Sequence, residues 1–356
     1  MALEQTIETD SLTLPQAQQA GAVSRWVHRN AAILILAVLL LILPAVAGPF
    51  ILDQIVGWTM ILGMIALSLM FLCGYGGMVS LAQMTVAGVS GYMIAVFGPS
   101  SLPSISLFWP WWVAAPVAIL IAVAFGTVVG ALSARTEGIY TIMITLALAT
   151  AFFYLTLQNW PIFNGFNGFT TIPAPHFLGV NWRAPIPFYY MVLFFAALSY
   201  AAVLYISRAP FGLALQGVRD NPRRMEAIGY NVTAHRVAAY AFAALIAAVG
   251  GILLVWQNNQ ISPYSVGVNA VINILVIAVV GGITHPIGAF IGAFIYVILH
   301  TFALDALVAV GLDGRRFQLL IGLGFVIIVL FSPDGIVGIW RRLRARARTS
   351  GGGNPL

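Results

Sequence analysis

Hydrophobic residues in this chain come in long, nearly unbroken blocks, without the alternating or three-and-four spacing of elements that turn one face to water. After a polar opening, blocks run over Ala31–Ala47, Ile51–Cys73, Met78–Phe97, Trp111–Leu132, Ile139–Leu157 and Phe188–Ile206. Beyond a polar loop they resume at Val237–Gln257, Asn269–Val280, Ile287–Val310 and Phe317–Phe331. Most approach the ~20 residues that cross a hydrocarbon core of ~30 Å. A continuous segment satisfies its own backbone polar groups there only as a helix. The pattern therefore predicts an all-α, polytopic transmembrane protein of about ten spans. Asn269–Val280 would reach only about 18 Å as a helix, so short or broken helices belong to the picture.

Composition narrows this to one membrane domain. Of 356 residues, 61% are hydrophobic and 7% charged, against roughly 25% charged in soluble domains. We divide the chain into a polar tail over 1–30 with Glu4, Glu8 and Asp10, a transmembrane domain over 31–340, and a basic, disordered tail over 341–356. Ala45-Val46-Ala47 mimics a signal-peptide cleavage site. The polar region before it is long for a signal peptide, and cleavage would leave an odd number of spans, so the block counts as a span.

The net charge of +6 comes from arginine, because the chain has no lysine. A Walker A phosphate loop and a Schiff-base lysine are thereby excluded, and any ATP used must be hydrolysed on another chain. Cys73 is the only cysteine, which rules out an intrachain disulfide and a cysteine zinc cluster. The arginines sit between and after hydrophobic blocks, as topology signals do, and not as a nucleic-acid surface. Arg208, Arg219, Arg223, Arg224 and Arg236 occupy one loop, and Arg341, Arg342, Arg344, Arg346 and Arg348 the C-terminal tail. Positive charge stays inside, so both are cytoplasmic, and an even span count puts both termini there. The Arg135–Glu137 turn then lies inside too, while Arg315 and Arg316, beside Asp313, fall outside. Trp109, Trp111, Trp112 and Trp160 mark interfaces. The outer loop Asn159–Ile186 suits either a partner protein or a folded cap.

Gly126 with Gly130, and Gly288 with Gly292, are four apart on apolar helices, the spacing of close backbone packing. Gly74-Tyr-Gly-Gly-Met-Val-Ser-Leu-Ala-Gln83, followed by Ala87-Gly-Val-Ser-Gly-Tyr92, adds polar Ser80 and Gln83 to a glycine-rich span. Unpaired polar groups cost several kcal/mol in hydrocarbon, so these face neighbours or a cavity. Gly281-Gly-Ile-Thr-His-Pro286, then Gly288, Gly292 and Tyr296, echoes that stretch with one gap. Interrupted segments in corresponding halves point to a transport pathway at a repeat interface; chance likeness between glycine-rich helices is the other reading. Asp53, Asp305 and His300 are the ionisable groups nearest the membrane, and Asp305 sits close to the break at Gly311, where it reads as interfacial. His176, His235, His285 and His300 are scattered, so no cluster suggests a membrane enzyme or a metal site.

The loop from Arg208 to Arg236 is the most specific feature. Asp220, Asn221 and Pro222 make a good helix start, Pro222–Ile228 a short helix, and Gly229 its stop. Arg219-Asp-Asn-Pro with Glu226-Ala-Ile-Gly229 resembles the coupling segment of the LivM-type permeases of branched-chain amino acid ATP-binding-cassette importers. The likeness extends to Gly77-Met-Val-Ser-Leu-Ala-Gln83, Gly138-Ile-Tyr-Thr-Ile-Met-Ile-Thr145, Val279-Val-Gly-Gly-Ile-Thr-His-Pro-Ile-Gly288 and Ser332-Pro-Asp-Gly-Ile336. It covers most of residues 50 to 342.

The resemblance implies a non-enzymatic permease subunit in the bacterial inner membrane, without cofactor, metal or catalytic residue. Its partners would be a second related permease, two ATPase subunits, an extracytoplasmic solute-binding protein and membrane lipid. Coupling to an ATPase falls to Arg219, Asp220, Asn221, Arg223, Glu226, Ala227 and Gly229. The interval from Glu226-Ala227 to Gly229 is shorter than in the broader importer motif. The translocation pathway falls to Gly77, Ser80, Gln83, Gly88, Gly91, Thr145, His285 and Gly288. The alternative is a stand-alone secondary carrier or channel for a small neutral solute.

Overall fold

The structure, a computed structural model, describes residues 38–177, 179–283 and 285–309. The polar N-terminal tail, most of the Ala31–Ala47 block's first half, the Phe317–Phe331 block, Arg315, Arg316, the Ser332–Ile336 phrase and the basic tail lie outside them. Helix α1, described over residues 38–46, belongs to a separate compact unit that ends at Leu52.

The second unit begins at Asp53 and is helical, as the blocks predict. A π-helical stretch, Ile51–Gly57, leads into α2 (Trp58–Gly76), followed by α3 (Gln83–Phe97), α4 (Trp111–Ser133) and α5 (Ile139–Gln158). A single turn, α6 (Trp160–Phe163), opens the long loop before α7 (Pro185–Arg208); α8 (Pro210–Asp220) and α9 (Pro222–Ala227) follow, then α10 (Val232–Asn258), α11 (Val268–Gly281) and α12 (Pro286–Ala309). Six helical stretches are long and apolar enough to cross a membrane: Ile51–Gly76, Trp111–Ser133, Ile139–Gln158, Pro185–Arg208, Val232–Asn258 and Pro263–Gly281. Helix α3 and the Pro286–Phe302 part of α12 are apolar but shorter. The only strands among the described residues are four two-residue pieces: β1 (Phe169–Thr170) pairs antiparallel with β4 (Gln260–Ile261), and β2 (His176–Phe177) with β3 (Val180–Asn181).

The core is built around α2 and α10. Helix α10 packs on α2, α3 and α4, and α12 packs on α2 and α11. Small residues set these distances. A Cβ at Gly126 would collide with Ala244, and one at Gly130 with Tyr240, so α4 and α10 approach as closely as the four-residue glycine spacing predicts. Ser90 Oγ lies 2.8 Å from the Ala248 carbonyl, tying α3 to α10.

Two boundaries differ from the hydropathy reading. The block expected to span from Met78 enters its helix only at Gln83, because Gly77 closes α2 in the left-handed conformation (φ 66°) and the chain runs non-helical through residues 77–82. The Arg208–Arg236 loop contains a second helix, α8, whose Leu215 and Val218 are fully buried. It also ends earlier than expected, since α10 begins at Val232 and takes in Arg236.

The loops sort to the two ends of the bundle. At one end Arg236 bonds Glu137 and the Ala134 carbonyl, and Arg219 bonds the Gly74 carbonyl. The start of α10 therefore meets the α4–α5 turn, and the end of α8 meets the end of α2. At the other end Ser101 bonds Thr170, β1 pairs with β4, and Trp109 stacks on Phe97 with ring centroids 5.2 Å apart.

Candidate translocation pathway and coupling segment

The non-helical stretch between α2 and α3 is the most polar place in the interior. Ser80 is fully buried and Gln83 nearly so, and two of the freed backbone donors there are met by side chains. Leu81 N–H donates to Thr145 Oγ1 at 3.1 Å, and Ala82 N–H to Ser80 Oγ at 3.3 Å. Thr145 can accept because its own proton goes back one helical turn, to Thr141 O at 2.9 Å. Ser68 Oγ stands 2.6 Å from the Ile65 carbonyl and 3.1 Å from Gln83 Oε1. A hydroxyl has one proton to give. The shorter contact takes it, so the Gln83 amide satisfies the pair when turned to donate its NH2 to Ser68.

Tyr240 reaches the same region from α10, its hydroxyl buried beside Ser80 and Ser133. The three hydroxyls are close enough to interact, and they add to the polar cluster around Ser80.

The other pathway residues read from the sequence fall in two places. Gly88 and Gly91 are on α3, where a Cβ at Gly88 would strike Val266 and one at Gly91 would stand 2.6 Å from Val255. Beside them a cavity lined by Met84, Gly88, Val255, Gln260, Ile261 and Val266 has about 10 Å³ of room, enough for a single water and far too small for an amino acid. His285 is half-buried between α11 and α12, and Gly288 lies on α12 where its backbone touches Gly281 and Gly282. The two interruptions come together: a Cβ at Gly74 would stand 2.6 Å from the Ile283 carbonyl oxygen.

The coupling residues form one exposed unit. Asn221 Oδ1 accepts from Arg224 N at 3.0 Å and so caps α9, with Pro222 at the first position. The helix runs to Ala227, one residue short of the span expected from sequence, and Gly229 follows at φ 91°. No residue of α9 is buried; Arg223, Arg224, Glu226 and Ala227 are exposed. Met225 anchors α9 by packing on Gly217 of α8. Arg219 and Asp220 form an ion pair at 2.9 Å. Sequence reasoning missed Arg236 as a structural element: its pair with Glu137, at 3.0 Å, joins residues 99 positions apart.

Every buried polar residue among the described ones is a serine, a threonine or Gln83, and no group of three His, Cys, Asp or Glu is placed to hold a metal. Such an interior can line a path for a solute without net charge, and it offers no carboxylate relay among the described residues.

The chain is similar to known permease proteins. The permease protein LivM of the high-affinity branched-chain amino acid transport system of Salmonella typhimurium is 24% identical over 336 residues, covering 85% of this chain and 74% of that protein. The probable branched-chain amino acid transport permease protein LivM of Methanocaldococcus jannaschii is 26% identical over 233 residues, 62% of this chain and 67% of its own length. The ribose import permease protein RbsC of Haemophilus influenzae is 24% identical over 268 residues, 71% of this chain and 78% of its own. No solved structure matches. Residues 51–330 match the family described as the permease component of the branched-chain amino acid transport system, and with most of its length inside that match the chain belongs to this family of multi-pass, non-catalytic transporter subunits.

Proposed function

We propose that this chain is one of two related permease subunits of an ATP-driven importer that moves branched-chain amino acids, or similar small solutes without net charge, into the cytoplasm. The observation that carries the proposal is α9: a short charged helix with no buried residue, capped at its start and held out between the membrane helices α7 and α10. A protein that moved solute unaided would have no need of it. One of the two ATPase subunits docks there, through Asp220, Asn221, Arg223, Glu226, Ala227 and Gly229, with Arg219 behind them in the coupling segment, and the other docks on the related permease. A solute-binding protein delivers substrate at the opposite end, where the Asn159–Ile186 loop lies.

In this reading the chain crosses the inner membrane ten times, counting the first and last hydrophobic blocks, with both termini cytoplasmic and no cofactor of its own. The meeting of the α4–α5 turn with the first turns of α10 through Glu137 and Arg236 supports a common cytoplasmic side for both. The pathway runs past Gly77, Ser80, Gln83, Gly88, Gly91 and Thr145, with His285 and Gly288 at the second of two weakly repeated interruptions.

The test is affinity purification of the tagged chain from its native membrane in mild detergent, with mass spectrometry of what co-purifies. A second permease and Walker-motif ATPases are expected. A chain that emerges alone and moves leucine in ATP-free liposomes is a secondary carrier, and the proposal falls.

A further inference from the structure

Arg219 differs from the other charged residues of the cytoplasmic loop in the direction of its side chain. Among the described residues, Arg223, Arg224 and Glu226 make no side-chain bond back to the membrane helices, whereas Arg219, with its side chain 40% exposed, is bonded back to α2. Its Nη1 donates to the Gly74 carbonyl oxygen near the end of α2, and its Cβ, Cγ and Cδ lie over Gly77, where any Cβ would collide with them. Asp220 holds the guanidinium in place, Nε to Oδ1 at 2.9 Å.

The hold on α2 is made twice. The Gly74 carbonyl belongs to the last turn of α2, where carbonyls lack helical partners and the dipole favours a cation. Under the arginine, Leu215 and Val218 of α8 are fully buried, with Leu215 packed near Gly76. Helix α9 is fixed to α8 by the Asn221 N–H bond to Gly217 O at 3.0 Å and by Met225 against Gly217. An unbroken line of contacts thus runs from exposed α9 through α8 and Arg219 to Gly74 and Gly77, where α2 stops and the polar break holding Ser80 and Gln83 starts. Gly74 also touches Ile283 of the second interruption.

We infer that Arg219 is a positioning residue that transmits movement of α8 and α9 to the α2–α3 break, and that it does not itself contact the ATPase. This rests on the reading of α9 as the ATPase dock. When an ATPase pushes α9, α8 moves with it, and the arginine shifts the end of α2 with respect to Thr145 and Tyr240, opening or closing the path at the cytoplasmic end.

The chain carries its own reporter, because Cys73 is its only cysteine and lies one turn before Gly77. The full complex is prepared in nanodiscs with wild-type chain, Arg219→Met, which keeps the stem over Gly77 but loses the donor, and Arg219→Lys, which keeps a donor. The rate of N-ethylmaleimide labelling of Cys73 is read by mass spectrometry of this chain, nucleotide-free and trapped with ATP and vanadate. We expect the wild-type rate to differ about five-fold or more between the two states, a typical size for coupling between sites. Arg219→Met should abolish that difference while ATPase co-purification and ATP hydrolysis persist, and Arg219→Lys should restore part of it. The inference is overturned by a wild-type rate that ignores nucleotide, by an Arg219→Met response equal to wild type, or by loss of the ATPases from Arg219→Met, which would make Arg219 a docking contact. Failure of wild-type chain to bring down any ATPase would instead overturn the reading of α9.

Discussion

The two glycine-rich interruptions look alike in sequence and are built in opposite ways. At the first, α2 ends at Gly76, six residues intervene, and α3 moves away; Gly77 and Met78 N–H still bond carbonyls at the end of α2, while side chains meet the donors further on, Thr145 for Leu81 and Ser80 for Ala82. At the second, Gly282 at φ 110° turns the chain within a few residues, and α11 and α12 pack together as a hairpin, backbone on backbone. A Cβ on Gly281 would strike the Gly288 carbonyl, and one on Gly292 the Ile277 carbonyl. A gap held by side-chain hydrogen bonds can exchange partners. A hairpin closed by main-chain contact has no such freedom. The first interruption is thus held by bonds that can exchange, and the second is a closely packed wall.

The largest expected effect tests the wall. Gly281→Val places a branched side chain against backbone that cannot turn aside, and overpacking of this kind costs about 3 kcal/mol or more. The chain should fail to accumulate in the membrane, measured by immunoblot of the membrane fraction. Gly77→Ala is the contrast: its neighbour is the flexible Arg219 stem, and the left-handed backbone costs about 1–2 kcal/mol. Equal losses from the two variants would break the distinction.

Next comes Glu226→Arg. Glu226 is exposed on α9 and touches nothing in the wall, so membrane insertion should be intact while ATP-dependent uptake in proteoliposomes is abolished. Normal uptake would remove Glu226 from the coupling role. A smaller effect is expected from Thr145→Val, which keeps the shape but leaves the Leu81 N–H buried without its acceptor. That costs about 1–3 kcal/mol, read as an earlier thermal unfolding of the detergent-purified chain. No change in unfolding would mean that Leu81 finds another partner and the gap is looser than drawn.

Much of this architecture was legible beforehand, for a physical reason: a bilayer dictates helix length and apolarity, so the blocks announce themselves. The α9 start was legible because Asn221 and Pro222 act locally, on the next turn. What escaped were features settled by distant partners. Helix α8 is short and amphipathic, and only its packing on α2, α7 and α10 gives Leu215 and Val218 somewhere to be buried. Ser80 was read inside a span because Met78–Phe97 is apolar; the left-handed Gly77 decides otherwise. Strand β1 could not be foreseen, since two residues carry no alternation and their partner Gln260–Ile261 lies about ninety positions away. Thr145 was singled out by family likeness alone, and its hydrogen bond to Leu81 gives that choice a physical content.

The smallest effect on stability, and the sharpest on mechanism, is expected from Gln83→Leu. Ser68 keeps its bond to the Ile65 carbonyl at 2.6 Å whatever happens to Gln83, so the substitution strands no donor. Leucine is close to glutamine in volume and more at home in an apolar interior. Stability should therefore stay within about 1 kcal/mol of wild type. Transport should still change, because Gln83 is the first residue of α3 and carries the only buried amide side chain among the described residues. A solute passing the break, or a break changing partners, loses its one group that both donates and accepts along two directions. Uptake that falls while melting and ATPase assembly are unchanged would place Gln83 on the path. An unchanged uptake rate would make it packing, and would leave Ser80 and Thr145 to define the polar floor alone.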